Sequence, residues 1–237
     1  MITNDKPDSK TLIDKIKGKG YWKIVIRPKT YNINKFTSKQ CKEILINSTV
    51  NLSGWSYPFI SSINEIYNYS TYVEHMVDWH MHLEVLRMYT SGQYVHLLGL
   101  IEDWNDNIQI FSPIHGIIEP GDGLDMILTL NIMTGIYEFC TRYIKNNILD
   151  DVNILIELNN MKNRQIITTD FGRHIYPHES KQSIIPINRD TNYSELIVKK
   201  YEYAIDDTLK IFAGFNWDDL PRQVLETEQK KLLRKVF

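Results

Sequence analysis

Cysteine is scarce in this sequence, which has only Cys41 and Cys140 among its 237 residues. Both lie in apolar segments with helical spacing, and no CxxC pair is present. Paired or clustered cysteines are the usual signature of disulfide frameworks and zinc sites. We therefore expect two buried, reduced thiols and no structural disulfide.

Targeting segments and long apolar runs are also missing. The first ten residues are polar, which argues against a signal peptide. The longest apolar run, 124–140, is interrupted by Asp125, Asn131 and Glu138 and is too short and too polar to cross a bilayer. We expect a protein of a bacterial-type cytoplasm with no membrane association.

The common motifs of nucleotide-binding proteins and hydrolases do not occur. GxGxxG, the Walker A sequence, GxSxG and HExxH are all absent. The acidic stretch 102–125 lacks the glycine and glutamate positions of an EF-hand, and Asp122 is expected to cap the following helix. The absence of these motifs argues against the common nucleotide-binding and hydrolase classes. It does not exclude an enzyme that uses none of them.

Charge is unevenly distributed along the chain, although the net charge is only −2. Residues 1–45 carry 11 basic and 4 acidic side chains, whereas residues 46–160 carry 3 and 14. Such asymmetry can mark a surface for a partner. The alternative is that the basic segment packs against the acidic middle of the chain or is simply solvated.

The order of hydrophobic patterns predicts an α+β fold. Alternation indicates strands at 21–27, 72–87 and 93–101, with a turn at 90–92, and a further hairpin from 151–158 and 165–169. Helical spacing indicates helices that begin near Thr37, where Gln40 completes a capping box, and near Leu124, Tyr193 and Pro221. Apolar residues surround much of the circumference of the helix 124–148, which predicts that it is buried. Because hairpins dominate and βαβ repeats are absent, we expect a mostly antiparallel, mixed-order sheet with helices packed on one face. We expect a disordered segment at 1–9 and a single domain over 10–237.

The predicted strand 72–87 carries the most informative polar residues. If it is regular, Asp78, His80, His82 and Glu84 point to the same side, while the odd-numbered residues from Val73 to Val85 face the core. His75 is one of these, and we expect it to be a hydrogen-bonded core histidine. His96 lies in the next predicted strand, and the side to which it points depends on the register of the two strands. Neighbours on one face lie about 6.5–7 Å apart, so a site needs a ligand from another element. A divalent metal ion is the candidate cofactor. The alternatives are a solvated polar face and a ligand-binding groove.

Basic and aromatic residues are interleaved near the start of the chain. Lys17, Lys19, Lys23 and Arg27 surround Tyr21 and Trp22, a combination that suits phosphate contact and base stacking. The acidic middle of the chain argues against a broad nucleic-acid surface. Nucleic acid therefore stays one candidate partner, beside another protein or a second copy of this chain.

Several segments resemble a group of uncharacterised bacterial proteins. They are 20–28 (GYWKIVIRP), Gly54-Trp55 with Pro58, His82-x-Glu84, and 91–93 (SGQ) with His96. Similar segments occur near DNA-binding domains and in mobile-element and phage-defence loci, so the resemblance implies a role in such a locus. It implies no catalytic residues.

Three hypotheses about function follow. The first is a non-enzymatic sensing, adaptor or regulatory protein that binds a macromolecular partner. The second is a metal-dependent hydrolase or nuclease that uses the polar face of 72–87. The third is a nucleic-acid-binding module that uses the basic strand near the start of the chain.

Overall fold

Five α-helices and a seven-stranded sheet dominate the part of the chain that is described. The computed structural model describes residues 8–52, 54, 56–79, 81–104, 110–112, 116–147, 149, 151–168 and 176–234. Residues 1–7 of the segment predicted to be disordered lie outside these ranges. The helices are α1 Ser9–Lys17, α2 Ser38–Ser48, α3 Met126–Asn147, α4 Tyr193–Ala213 and α5 Arg222–Arg234.

The strands form one large antiparallel sheet and three small pairs. In chain order they are β1 Tyr21–Pro28, β2 Val50–Asn51, β3 Ser56–Tyr57, β4 Tyr67–Asn68, β5 Tyr72–Trp79, β6 His82–Tyr89, β7 Tyr94–Gly99, β8 Ile110–Ser112, β9 Gly116–Ile118, β10 Gly123–Asp125, β11 Asp151–Asn159, β12 Gln165–Ile167 and β13 Ile184–Asn192. The large sheet has the order β13-β11-β1-β7-β6-β5-β4. The predicted α+β class with a mostly antiparallel, mixed-order sheet is confirmed.

Alternation along β1 explains where the main core lies. Trp22, Ile24 and Ile26 are fully buried in the main core, which also contains residues of α3, whereas Lys23 and Arg27 point to the other face. A strand with one apolar face gains stability only when that face is covered. The helices α2, α3 and α4 provide this cover.

The helix α3 is buried around most of its circumference, as its sequence predicts. It begins one residue after Asp125, whose carboxylate accepts a hydrogen bond from the Leu128 backbone N–H at 2.8 Å. The capping residue is therefore Asp125, and the prediction for Asp122 is wrong. This interaction fixes the start of α3 beside the sheet.

The opposite face of the sheet is covered in part by α1. Leu12 and Ile16 of this helix pack on Leu83, Val85 and Leu97 of β6 and β7. Helices thus contact both faces of the sheet, although the larger layer lies on one side. A second, smaller core results.

The predicted hairpin between 151–158 and 165–169 is not formed. β11 pairs with β1 and β13, while β12 pairs in parallel with β10. Asn160 and Asn163, both with positive φ, turn the chain after β11 so that β12 leaves the large sheet. The turn residues were visible in the sequence, but the pairing partner was not.

Both cysteines are buried and free, as predicted. Burial raises the pKa of the Cys41 thiol to about 11 and that of Cys140 further still. Because the thiolate is the reactive form, we expect neither thiol of the native protein to react readily with Ellman's reagent at neutral pH. Both should titrate at once in denaturant. Rapid reaction of a native thiol would contradict this placement.

No helix in the described ranges has both the length and the apolar character that a bilayer span requires.

Candidate functional site

The polar segment 72–87 is a hairpin and not one strand. β5 and β6 are antiparallel, with Trp79 paired to His82 across the turn at 80–81. Because paired residues point to the same side, the even-numbered residues of β6 share a face with the odd-numbered residues of β5. The prediction of one continuous even-numbered face is therefore wrong.

The hairpin separates the four residues of the metal hypothesis. Asp78 lies on the α1 side of the sheet, where it accepts a hydrogen bond from Lys15 at 2.6 Å. His82 and Glu84 lie on the opposite side, facing the helix layer. His80 lies outside the described residues. Within the described ranges, no three His, Cys, Asp or Glu side chains are grouped so as to hold a metal ion.

A different constellation forms around Glu84, which is 1% exposed. Its Oε2 atom lies 3.1 Å from Nε2 of His96 and 3.4 Å from Nε2 of His82. Nδ1 of His96 lies 3.3 Å from the Tyr57 hydroxyl oxygen. We call these four residues, Tyr57, His96, Glu84 and His82, the buried polar chain.

The electrostatics of the chain centre on the Glu84 carboxylate. Burial alone would raise its pKa, but the close contacts of its carboxylate with His82 and His96 lower the pKa of Glu84 to about 2. Burial is the main cause that raises the pKa of Tyr57 well above its ordinary value. At neutral pH the chain therefore contains a buried carboxylate at its centre and a protonated phenol at one end.

The residues at both ends of the buried polar chain, Tyr57 and His82, line a cavity of about 330 Å³. The cavity is lined by Val50, Leu52, Ser56, Tyr57, Trp79, Met81, His82, Leu98, Gly99, Ile101, Leu128, Asn131, Ile132 and Gly135. Most of this surface is apolar, and no described residue on it is Lys, Arg, Asp or Glu. Its size and its few polar groups are those of a small-molecule site.

The short β2–β3 hairpin brings Tyr57 to the site. Tyr57 packs on α3 at Gly135, where a Cβ atom would lie at an ordinary van der Waals distance, 3.6 Å, from the Tyr57 Cβ and Cγ atoms. The Tyr57 ring also packs edge-on against Phe139 at a centroid distance of 5.8 Å. These contacts hold the Tyr57 hydroxyl beside His96.

One wall of the cavity is fixed by a buried ion pair. Ile101 lines the cavity and starts the short 3₁₀ helix Ile101–Asp103. The Asp103 carboxylate accepts hydrogen bonds from Arg164 at 2.5 and 2.7 Å, and from the backbone N–H groups of Gly20 at 2.6 Å and Gly121 at 3.0 Å. This single carboxylate ties together four separate segments of the chain.

Glu102, the neighbour of Asp103, is buried without a cationic partner among the described residues. Its Oε1 atom accepts a hydrogen bond from the Asp125 backbone N–H at 2.9 Å, and Oε2 has no hydrogen-bond partner there. Burial, opposed in part by the backbone hydrogen bonds, raises the pKa of Glu102 to about 7. This carboxyl group therefore changes charge near neutral pH.

The predicted core histidine, His75, is buried at 1% exposure. Its Nε2 atom lies 3.7 Å from a carboxylate oxygen of Glu65, and neither ring nitrogen makes a hydrogen bond to a described residue. Burial lowers the pKa of His75. The burial of His75 was predicted correctly, but no residue of the described ranges accepts or donates the expected hydrogen bond.

Two of the four basic residues of the nucleic-acid hypothesis have partners within the chain. Lys23 forms an ion pair with Glu157 at 2.7 Å, and Lys19 donates to the Asp103 carbonyl oxygen at 2.7 Å. Lys17 and Arg27 are exposed. The interleaved pattern therefore serves, at least in part, to join β1 to neighbouring segments.

Sequence reasoning missed Tyr57 and left the direction of His96 open. The sequence places His96 in a strand, but the side to which it points depends on the register of β6 against β7, where Leu86 pairs with His96.

Comparison of the chain with protein-family models, with curated proteins and with solved structures finds no match.

Proposed function

We propose that the protein binds a small, largely apolar molecule in the cavity beside the buried polar chain, and that it acts as a ligand-responsive sensing protein. The observation that carries this proposal is the position of Tyr57 and His82. They are the two ends of one chain of polar contacts, in which Nε2 of His82 lies 3.4 Å from Glu84 Oε2, and both residues line the same apolar cavity. A few placed polar groups in an apolar pocket give a ligand its orientation.

The cavity is suited to a response as well as to binding. Its walls come from β2, β3, β7, α3, the turn between β5 and β6, and the 3₁₀ helix at Ile101. A ligand that contacts all of them stabilises their native arrangement, by about 2.7 kcal/mol at a concentration of 100 times Kd. Trp79 and Ile101, which are 49% and 37% exposed, lie at the cavity and offer a surface for a partner.

Acid–base catalysis is a second candidate function, and one feature favours it. The ionised Glu84 lies 3.4 Å from Nε2 of His82, a side chain that is 23% exposed and lines the cavity. A carboxylate that orients an imidazole is the arrangement that makes histidine an effective general base. In that case the bound molecule would be a substrate.

Filling the cavity tests the binding proposal. Ile132→Trp places a larger side chain in the cavity, and we expect it to weaken the binding of N-phenyl-1-naphthylamine, a neutral fluorescent probe, by at least about tenfold. The physical reason is loss of the volume in which the apolar probe is buried. Fluorescence titration of wild type and variant measures the effect.

The matched control is Ile197→Trp, the same change on the exposed surface of α4. This variant should bind the probe as the wild type does. Thermal denaturation of both variants shows whether each is folded. Equal affinity in Ile132→Trp and wild type, or no binding of the probe to the folded wild type, would refute the proposed site.

A further inference from the structure

The direction of the hydrogen bonds in the buried polar chain follows from its central carboxylate. An ionised Glu84 accepts hydrogen bonds and cannot donate them, so Nε2 of His96 carries the proton of that contact. In the neutral form of His96, Nδ1 then has a lone pair and accepts the proton of the Tyr57 hydroxyl at 3.3 Å. In that form the only proton of Tyr57 points at His96, which is not among the residues that line the cavity.

This direction determines what Tyr57 offers a ligand. Its oxygen keeps lone-pair capacity and acts as a hydrogen-bond acceptor. A bound molecule that presents only an acceptor would meet no donor at Tyr57. A molecule that presents a hydroxyl group would complete the hydrogen bonding of the chain.

The remainder of the lining restricts the charge and shape of the ligand. No lysine or arginine is among the described residues that line the cavity, so an anionic group would lose its hydration with no ammonium or guanidinium group among these residues to replace it. The Trp79 and Tyr57 side chains supply aromatic surface. Aromatic rings pack favourably on other rings in offset or edge-on geometry.

We infer that the cavity binds a neutral aromatic molecule that carries one hydroxyl group, and that the Tyr57 oxygen accepts the hydrogen bond from this group. The inference rests on the proposed function, since it names the class of ligand for the same cavity. Phosphorylated and carboxylated molecules are excluded from this class. His82, at the other end of the chain, contributes to the polar part of the same wall.

Three probes with the same ring system test the ligand class. Naphthalene has no polar group, 1-methoxynaphthalene has only an acceptor, and 1-naphthol has a donor. We expect wild-type protein at neutral pH to bind 1-naphthol about tenfold more tightly than 1-methoxynaphthalene, which is the effect of one net hydrogen bond. Isothermal titration calorimetry gives the three affinities.

Two tyrosine variants test the assignment to Tyr57. Tyr57→Phe should bind 1-naphthol only as tightly as 1-methoxynaphthalene, while its affinities for the other two probes stay at the wild-type values and show that it is folded. Tyr201→Phe removes a hydroxyl that is bonded to Glu138 at 3.1 Å and lies outside the cavity lining. It should keep the tenfold preference.

The outcomes separate the two proposals. Binding of N-phenyl-1-naphthylamine without any preference for 1-naphthol would overturn the ligand class and leave the binding site standing. A preference that survives in Tyr57→Phe would overturn the role of the Tyr57 oxygen. No binding of any of the four probes would overturn both proposals.

Discussion

Asp103→Ala is expected to lower the free energy of unfolding by about 3–5 kcal/mol, the largest effect of a single substitution that we predict. The change leaves Arg164, which is 3% exposed, as a buried cation without its carboxylate. It also removes the acceptor of the Gly20 and Gly121 backbone N–H groups. Chemical denaturation of wild type and variant measures the difference.

The matched control is Asp78→Ala, which breaks an ion pair of similar length in an exposed position. The contact of Asp78 with Lys15 is 2.6 Å long, but the two side chains are 50% and 43% exposed. Exposed pairs contribute under about 1 kcal/mol, so we expect little change. Equal losses in the two variants would contradict the view that burial makes Asp103 important.

The double variant Asp103→Ala with Arg164→Met separates the causes of the loss. It removes the unpaired cation, so it should recover part of the stability that Asp103→Ala loses.

The affinity for N-phenyl-1-naphthylamine should fall in Asp103→Ala as well, because Ile101 lines the cavity and belongs to the same short helix as Asp103.

The fold was predictable from the sequence in long segments whose hydrophobic residues recur with a single period, either that of a strand or that of a helix. The alternation of Trp22, Ile24 and Ile26 indicated β1, and the all-round apolar pattern of 124–148 indicated the buried helix α3. Both signals are local and do not depend on which element is the neighbour. The capping box of Thr37 and Gln40 at the start of α2 is equally local and is present.

The candidate site was less predictable because it depends on a turn without a sequence signal. No glycine, asparagine or proline stands at 80–81, so β5 and β6 read as one strand. Because the loop has two residues, the odd-numbered residues of β5 share a face with the even-numbered residues of β6. Every polar residue of β6 therefore lies on the side opposite to the one predicted for a single strand. Asp78 and Glu84, which were predicted to point to the same side, lie on opposite faces of the sheet.

Tyr57 was missed for a different reason. It belongs to a two-residue strand, and such strands have no measurable period. Its place beside His96 follows from the packing of β3 on α3 and from the register of β7, which are tertiary properties. Sequence periodicity therefore finds the scaffold of this site more readily than the side chains that meet in it.

Glu102→Gln is expected to make the protein more stable than wild type at about pH 8, by about 3 kcal/mol, and to change its stability little at about pH 5. The pKa of Glu102 is raised from 4.5 to about 7 in the folded protein. Below the pKa that Glu102 has in the unfolded chain, both the folded and the unfolded protein hold its proton, so the carboxyl group does not lower the free energy of unfolding. As pH rises towards 7 the unfolded state releases its proton first, and stability is lost until the folded carboxyl ionises too.

Glutamine avoids this loss of stability because its side chain has no charge to bury. Its side-chain oxygen can still accept the hydrogen bond that Glu102 Oε1 receives from the Asp125 backbone N–H. Glu43→Gln, on the exposed surface of α2, is the control for the change in composition and should affect stability little at either pH. Urea denaturation of the three proteins at both pH values measures the differences. If the difference between Glu102→Gln and wild type did not grow with pH, Glu102 would not be the buried, uncompensated carboxyl described above.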